Sequence, residues 1–155
     1  MTTTSAITKL LGPDELAAWR GLLRVHAGLT KALDAELVRE HDLPLSSYEV
    51  LLFLADSHAG ELRMSELADR VLLSRSGLTR LVDRMERDGL LRRRRCEEDQ
   101  RGWYAAITDR GRELFDLAQH THLAGVRKLF LSRLSADEQR ALGALWERIE
   151  PGAAS

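Results

Sequence analysis

The stretch from Ser74 to Arg101 constrains the fold more than any other. Leu78, Leu81, Val82 and Met85 fall at i, i+3, i+4 and i+7, which gathers them on one face of a helix. Arg75, Ser76, Thr79, Arg80 and Asp83 lie on the opposite face. Ser74 stands where a hydroxyl can accept from an orphan N–H of the first turn. Gly89 stands where a helix stops in the left-handed conformation. Beyond it come Leu90 and Leu91, four consecutive arginines from Arg92 to Arg95, a charged turn, and a second strand over Trp103–Thr108. Helix, strand, charged loop, strand is the layout of a winged helix.

The remaining segments extend that layout. Gly12-Pro13-Asp14-Glu15 opens a helix that runs to about His41, since proline is harmless in a first turn and acids suit the positive end of the dipole. Leu16, Trp19, Leu23, His26, Thr30, Leu33 and Leu37 mark one face of it; Leu22, Val25, Leu29 and Ala32 mark another. Two apolar faces on a rod of ~40 Å call for cover on two sides. One small domain supplies that poorly, and a second copy of the chain supplies it well. Asp42-Leu43-Pro44 breaks the helix, and Ser46 with Glu49 has capping-box spacing for the next one, whose apolar residues Val50–Ala55 make it central. Leu62-Arg63-Met64 reads as a short third strand. Ser65 reads as the cap of a helix to Val71, which pairs with the Ser74 helix as a helix-turn-helix. Thr108-Asp109 starts a helix of about twenty residues by its apolar spacing, and Ser135 with Glu138 caps the last one.

At 155 residues the chain suffices for one domain, and 44% apolar residues can fill its core. The first residues lack the basic-then-apolar pattern of a signal peptide, and the longest apolar runs are too short to cross a bilayer; the expected location is the cytoplasm. A single cysteine, Cys96, excludes an internal disulfide and a cysteine metal cluster. His41 beside Glu40, and His120 and His122 two apart on a helix, do not converge on a metal. There is no H-E-x-x-H, G-x-G-x-x-G, phosphate loop or C-x-x-C, so no enzyme activity and no cofactor are expected.

The net charge of −1 argues against a nucleic-acid partner until its distribution is considered. Residues 75–95 hold eight arginines against three acids, a local balance of +5, so the remainder carries −6. A basic stripe on an acidic body is an electrostatic footprint for DNA. The major groove accepts one helix, and arginine binds guanine O6 and N7 bidentately. Ser74, Arg75, Ser76, Thr79 and Arg80 occupy the N-terminal half, the part that enters the groove. Arg84 and Arg87 sit further along, at phosphate positions. On a strand only two of the four wing arginines share a side: Arg93 and Arg95, or Arg92 and Arg94. Arg101 at the loop tip suits a narrow minor groove, with Asp99 holding a neighbouring guanidinium. The competing reading is a solvated face laced by i, i+4 pairs Asp83–Arg87 and Arg84–Asp88, on a winged helix that docks a protein without specific DNA binding.

The run SRSGLTRLVDRMERDG from Ser74 to Gly89, then Leu90-Leu91 and the arginines, then Asp99-x-Arg101, then Ala106-Ile-Thr-Asp-Arg-Gly111, resembles the MarR family of bacterial transcriptional regulators. The order of elements matches over nearly the whole chain. The resemblance implies a mainly α fold, a winged helix-turn-helix lobe (46–108) with dimerisation helices at 13–41 and 109–149, all within a single MarR-type domain over 1–155. It implies a homodimer, by expectation a repressor, on a double-stranded pseudo-palindromic operator, with recognition helices ~34 Å apart. By position, Ser74, Arg75, Ser76, Thr79 and Arg80 would face bases. Ser65, Arg84 and wing arginines, Arg94 and Arg95 among them, would hold phosphates, and Arg101 would enter the minor groove with Asp99 orienting a neighbour. Many members release DNA on binding a small aromatic or phenolic anion. Trp19, His26, Thr30 and Tyr48 lie on segments that could line such a pocket.

Overall fold

The computed structural model describes residues 10–71, 73–97 and 102–152. Its elements are α1 (Pro13–His41), α2 (Leu45–Ala55), β1 (Glu61–Arg63), α3 (Met64–Arg70), α4 (Arg75–Arg87), β2 (Leu91–Arg95), β3 (Trp103–Ile107), α5 (Asp109–Leu129) and α6 (Ala136–Ile149). This is a mainly helical chain with a three-stranded antiparallel sheet in the order β1-β3-β2.

Local chemistry fixes most of the ends. The Gly12 N–H donates to the Glu15 carboxylate at 2.7 Å, opening α1. Asp42 closes it in the left-handed region at φ 52°, where a short polar side chain is tolerated, and its N–H reaches the Val38 carbonyl at 2.9 Å. Helix α2 departs from the sequence reading. It starts at Leu45, not after Ser46, because Pro44 sets the entry angle and Asp34 of α1 accepts from the Leu45 N–H at 2.8 Å. A carboxylate eleven residues away takes the place of a local capping box. Helix α3 also starts earlier than read: Arg63 is its N-cap residue, Ser65 lies inside its first turn, and the Arg63 N–H donates to Glu66 at 3.2 Å. The Ser74, Thr108 and Ser135 hydroxyls cap as read, each accepting from the N–H three residues on.

The core gathers around α2. Val50, Leu51 and Leu54 are fully buried against Leu37 of α1, Leu67 of α3, Leu78, Val82 and Met85 of α4, and Phe115 and Ala118 of α5. α5 also crosses α1 closely. A Cβ at Gly125 would stand 2.6 Å from Glu36 Oε2 and 2.8 Å from Leu33 Cδ2. Further along, the His41 ring meets the Thr121 hydroxyl at 2.7 Å.

The terminal helices are only partly covered. Among the described residues α6 buries no side chain, and Trp19, Leu22, Leu23 and Val25 of α1 are exposed together with Leu145 and Ile149 of α6. Both apolar faces of α1 are therefore open over its N-terminal half within one chain.

Candidate nucleic-acid interface

Helix α4 turns its apolar stripe inward and its N-terminal polar half outward. Leu78, Leu81, Val82 and Met85 are buried, whereas Arg75, Ser76, Thr79, Arg80 and Arg84 are exposed. Among the described residues no ion pair engages Arg75, Arg80 or Arg84, so their guanidinium groups are available to a ligand. Ser74 is committed locally: its oxygen accepts from the Gly77 N–H at 3.1 Å and lies 3.3 Å from the Ser76 hydroxyl. Thr79 donates its hydroxyl proton to the Arg75 carbonyl at 2.8 Å, which leaves lone pairs and a methyl group facing out.

A cleft of about 820 Å³ separates this helix from the wing. Arg63, Ser65, Arg75, Thr79, Arg93 and Trp103 are among the residues that line it. Ser65, without a capping duty, thus lines the same cleft as Arg75 and Thr79 of α4. Arg63 and Trp103 are site residues that sequence reading missed. Arg63 could have been found from its place at the end of a strand that runs directly into α3.

The wing arginines divide by face, as strand alternation demands. Arg93 sits opposite Ala105 and turns toward α4, pairing with Asp83 at 2.7 Å and Glu86 at 2.9 Å. The i, i+4 pair expected between Asp83 and Arg87 does not form; Arg87 Nε donates to the Asp83 carbonyl instead, at 3.3 Å. Arg94 lies on the other face, over the Tyr104 ring at 4.5 Å and paired through two nitrogens with Glu61. Glu61 is pulled below the usual carboxylate range chiefly by that hydrogen bond. Arg94 thus carries its own counter-charge. Arg95 rests 5.3 Å above Trp103, its cross-strand partner, and is exposed. Asp99 and Arg101 lie outside the described residues.

The four residues considered for a small ligand differ in burial. Trp19, His26 and Thr30 are on the exposed face of α1. Tyr48 is 2% exposed, stacked on Phe115 at 5.5 Å and beside His122 at 4.5 Å. Burial raises the Tyr48 hydroxyl pKa and lowers that of His122, whose Nδ1 is buried with no partner among the described residues. A histidine held neutral in the fold contributes stability above its ordinary pKa, and that contribution is lost as pH falls toward the depressed value. The thermal midpoint is expected to drop between about pH 7 and pH 5, and His122→Leu should flatten that slope. Parallel curves for the two proteins would remove His122 as the cause.

A sequence model of the MarR family matches residues 41–102, from the end of α1 through the wing. Sco3205, a MarR family transcriptional regulator from Streptomyces coelicolor solved in complex with DNA, is 34% identical and superposes with a TM-score of 0.84 over 94% of each chain. The chain belongs to the MarR family. Two further relatives agree with it. The uncharacterized HTH-type transcriptional regulator YkoM of Bacillus subtilis is 31% identical over 83% of this chain and 84% of its own length. The homoprotocatechuate degradative operon repressor of Escherichia coli is 31% identical over 72% of this chain and 73% of its own. As a member of the MarR family the protein is a DNA-binding transcriptional regulator and not an enzyme. No helix of the described residues is long and apolar enough to cross a membrane.

Proposed function

We propose that this regulator is a homodimeric repressor. In this reading α4 enters successive major grooves of a pseudo-palindromic operator and the wing reaches the flanking minor grooves. The observation that carries it is the exposed N-terminal half of α4, where Arg75, Ser76, Thr79 and Arg80 face solvent beside a cleft walled by the wing. Arg75 and Arg80 are the guanine readers. Thr79, its proton already donated, accepts from an adenine or cytosine amino group or packs its methyl on thymine. Arg84, Arg95 and Ser65 hold phosphates. Ser74 serves chiefly by shaping the helix start, and Arg101 with Asp99 completes the wing.

Dimerisation through 13–41 and 109–149 is supported by the apolar side chains that a single chain leaves uncovered, Trp19 at 53% and Ile149 at 68% exposure among them. Release by a small aromatic or phenolic effector is supported by the relative named as repressor of a homoprotocatechuate degradative operon. Such an effector acts only by preferring one lobe spacing over another. Trp19, His26, Thr30 and Tyr48 remain its proposed contacts, with Tyr48 needing to leave its stack to serve.

Selection of bound duplexes from random DNA, with the mass of the complex measured by sedimentation, tests this reading. The expected result is a two-fold symmetric site, half-sites about one helical turn apart, occupied by two copies. A monomer in solution, or no preferred duplex, overturns it. Arg80→Ala is expected to relax base preference by ~1–3 kcal/mol at one position per half-site, with thermal stability unchanged because Arg80 is exposed. Equal discrimination at every position by the variant and the parent would take Arg80 off the bases. A screen of phenolic acids against the bound complex then addresses the effector.

A further inference from the structure

We propose that Arg93 serves DNA recognition without touching DNA: clasped by Asp83 and Glu86, it fixes the wing against the recognition helix and offsets one of the two negative charges beside the groove. The inference rests on the DNA-facing assignment of α4 and names the device that sets its geometry.

Four contacts make the clasp. The Arg93 backbone N–H donates to Glu86 Oε1 at 2.8 Å, and its Nε donates to Glu86 Oε2 at 3.0 Å. Its Nη2 lies 2.9 Å from Glu86 Oε2 and 2.7 Å from Asp83 Oδ1. One residue of β2 thus grips two successive turns of α4 with both main chain and side chain. The Arg93 side chain is 30% exposed and the Glu86 side chain 35%, so the pair is partly withdrawn from solvent. The Glu86 carboxyl is held below its usual range, first by the Arg93 N–H and then by the guanidinium.

The clasp matters because it adds a second tie between these elements beyond their covalent link. α4 ends at Arg87 and β2 begins at Leu91, and the turn between them passes through Gly89 at φ 75°. The Gly89 N–H donates to the Glu86 carbonyl at 3.0 Å and the Leu90 N–H to the Met85 carbonyl at 2.9 Å, which pins the turn, while Arg93 holds β2 further along. A lobe that places its helix in one groove and its wing in the next needs the angle between them fixed before it meets the duplex, since ordering it on binding costs affinity. Glu86 and Arg93 both line the cleft between the two elements, together with Arg75 and Thr79 of α4. Without Arg93, the Glu86 carboxylate on the cleft and the Asp83 carboxylate beside it would both be left uncompensated.

Two readings of Arg93 give opposite results for one substitution. Glu86→Gln removes a negative charge near DNA and frees a guanidinium, so simple electrostatics calls for tighter binding. The clasp calls for operator binding about tenfold weaker, and for a Glu86→Gln, Arg93→Gln double variant no weaker than Arg93→Gln alone. Arg93→Gln should leave the slope of log affinity against log salt unchanged, whereas a lost phosphate contact lowers it by about one unit per site. Thermal scans accompany each variant. Asp83→Asn, which removes one contact of the four, provides a milder version that should weaken binding in the same direction.

Tighter binding by Glu86→Gln, or a smaller salt slope for Arg93→Gln, would overturn the proposal. Arg80→Ala run alongside separates the two levels. If it too leaves recognition untouched, the interface is misplaced. If it relaxes base preference while Glu86→Gln tightens binding, only the clasp falls.

Discussion

Operator affinity is expected to fall by about 10³–10⁵-fold between roughly 50 and 200 mM salt, which corresponds to the neutralisation of 6–10 phosphates by the complex. The net charge of −1 gives no hint of such behaviour, because the acidic body offsets the basic lobe. What the duplex meets is local. A count of arginines over residues 75–95 gives eight per lobe, yet the structure withdraws several of them. Arg93 is held by Asp83 and Glu86, Arg94 by Glu61, and Arg87 bonds the Asp83 carbonyl. Arg75, Arg80, Arg84, Arg92 and Arg95 remain exposed, and the three not assigned to bases, Arg84, Arg92 and Arg95, give six phosphate-facing charges in two lobes, at the lower end of the stated range. Titrations at a series of salt concentrations read the number directly. A flat dependence would dissolve the argument from the basic stripe. A slope near −14, about 0.9 for each of sixteen arginines in two lobes, would mean that Arg93 and Arg94 leave their carboxylates for the backbone of the duplex.

That accounting shows where sequence reading stops. Periodicity was enough for α4, because four apolar residues at helical spacing have one way to be buried, and strand alternation was enough to split the wing arginines into two pairs. Hydroxyl caps within three residues of their targets, at Ser74, Thr108 and Ser135, were equally legible. The caps misread were those supplied from a distance or by the main chain. Asp34 reaches the Leu45 N–H from another helix, and the donor that Glu66 satisfies is the backbone of Arg63, so Ser46 and Ser65 drew attention that belonged elsewhere. Charge was the least legible property. Asp83 has Arg87 one turn away on its own helix, but bonds an arginine on the wing instead. Only the approach of β2 to α4, which no local pattern encodes, decides between a guanidinium for DNA and one for a neighbouring carboxylate. The two apolar faces of α1 were visible in the sequence, and one chain of the fold leaves both open over the helix's N-terminal half.

Replacing Gly111 by alanine should cost about 3 kcal/mol or more, at the upper end of what inserting one methyl into a packed site costs. Gly111 lies in the first turn of α5, and a Cβ there would stand 2.0 Å from the Leu90 carbonyl oxygen and 3.0 Å from Ile107 Cγ1. The obstacle is backbone, which cannot swing aside as a side-chain tip does. The same carbonyl accepts from the Thr108 N–H at 3.1 Å, while the Thr108 hydroxyl donates to the Gly89 carbonyl at 2.6 Å and accepts from the Gly111 N–H at 3.0 Å. These bonds stitch the exit of the recognition helix to the start of α5, so both ends of the wing are tied at one point. A methyl group at position 111 must either push Leu90 outward or lift the first turn of α5. Either movement breaks the Thr108 bonds and shifts the root of β2, with Arg93 on it. The expected signature is a thermal midpoint lowered by about 6–12 °C, since each kcal/mol moves a chain of this size by ~2–4 °C. A second signature separates a local lift from global loss: operator affinity should drop at temperatures where the variant is still folded, because α4 and the wing are re-aimed. A Gly111→Ala protein with an unchanged midpoint and unchanged affinity would show that the junction yields freely, leaving the Arg93 clasp to keep the wing's angle to α4.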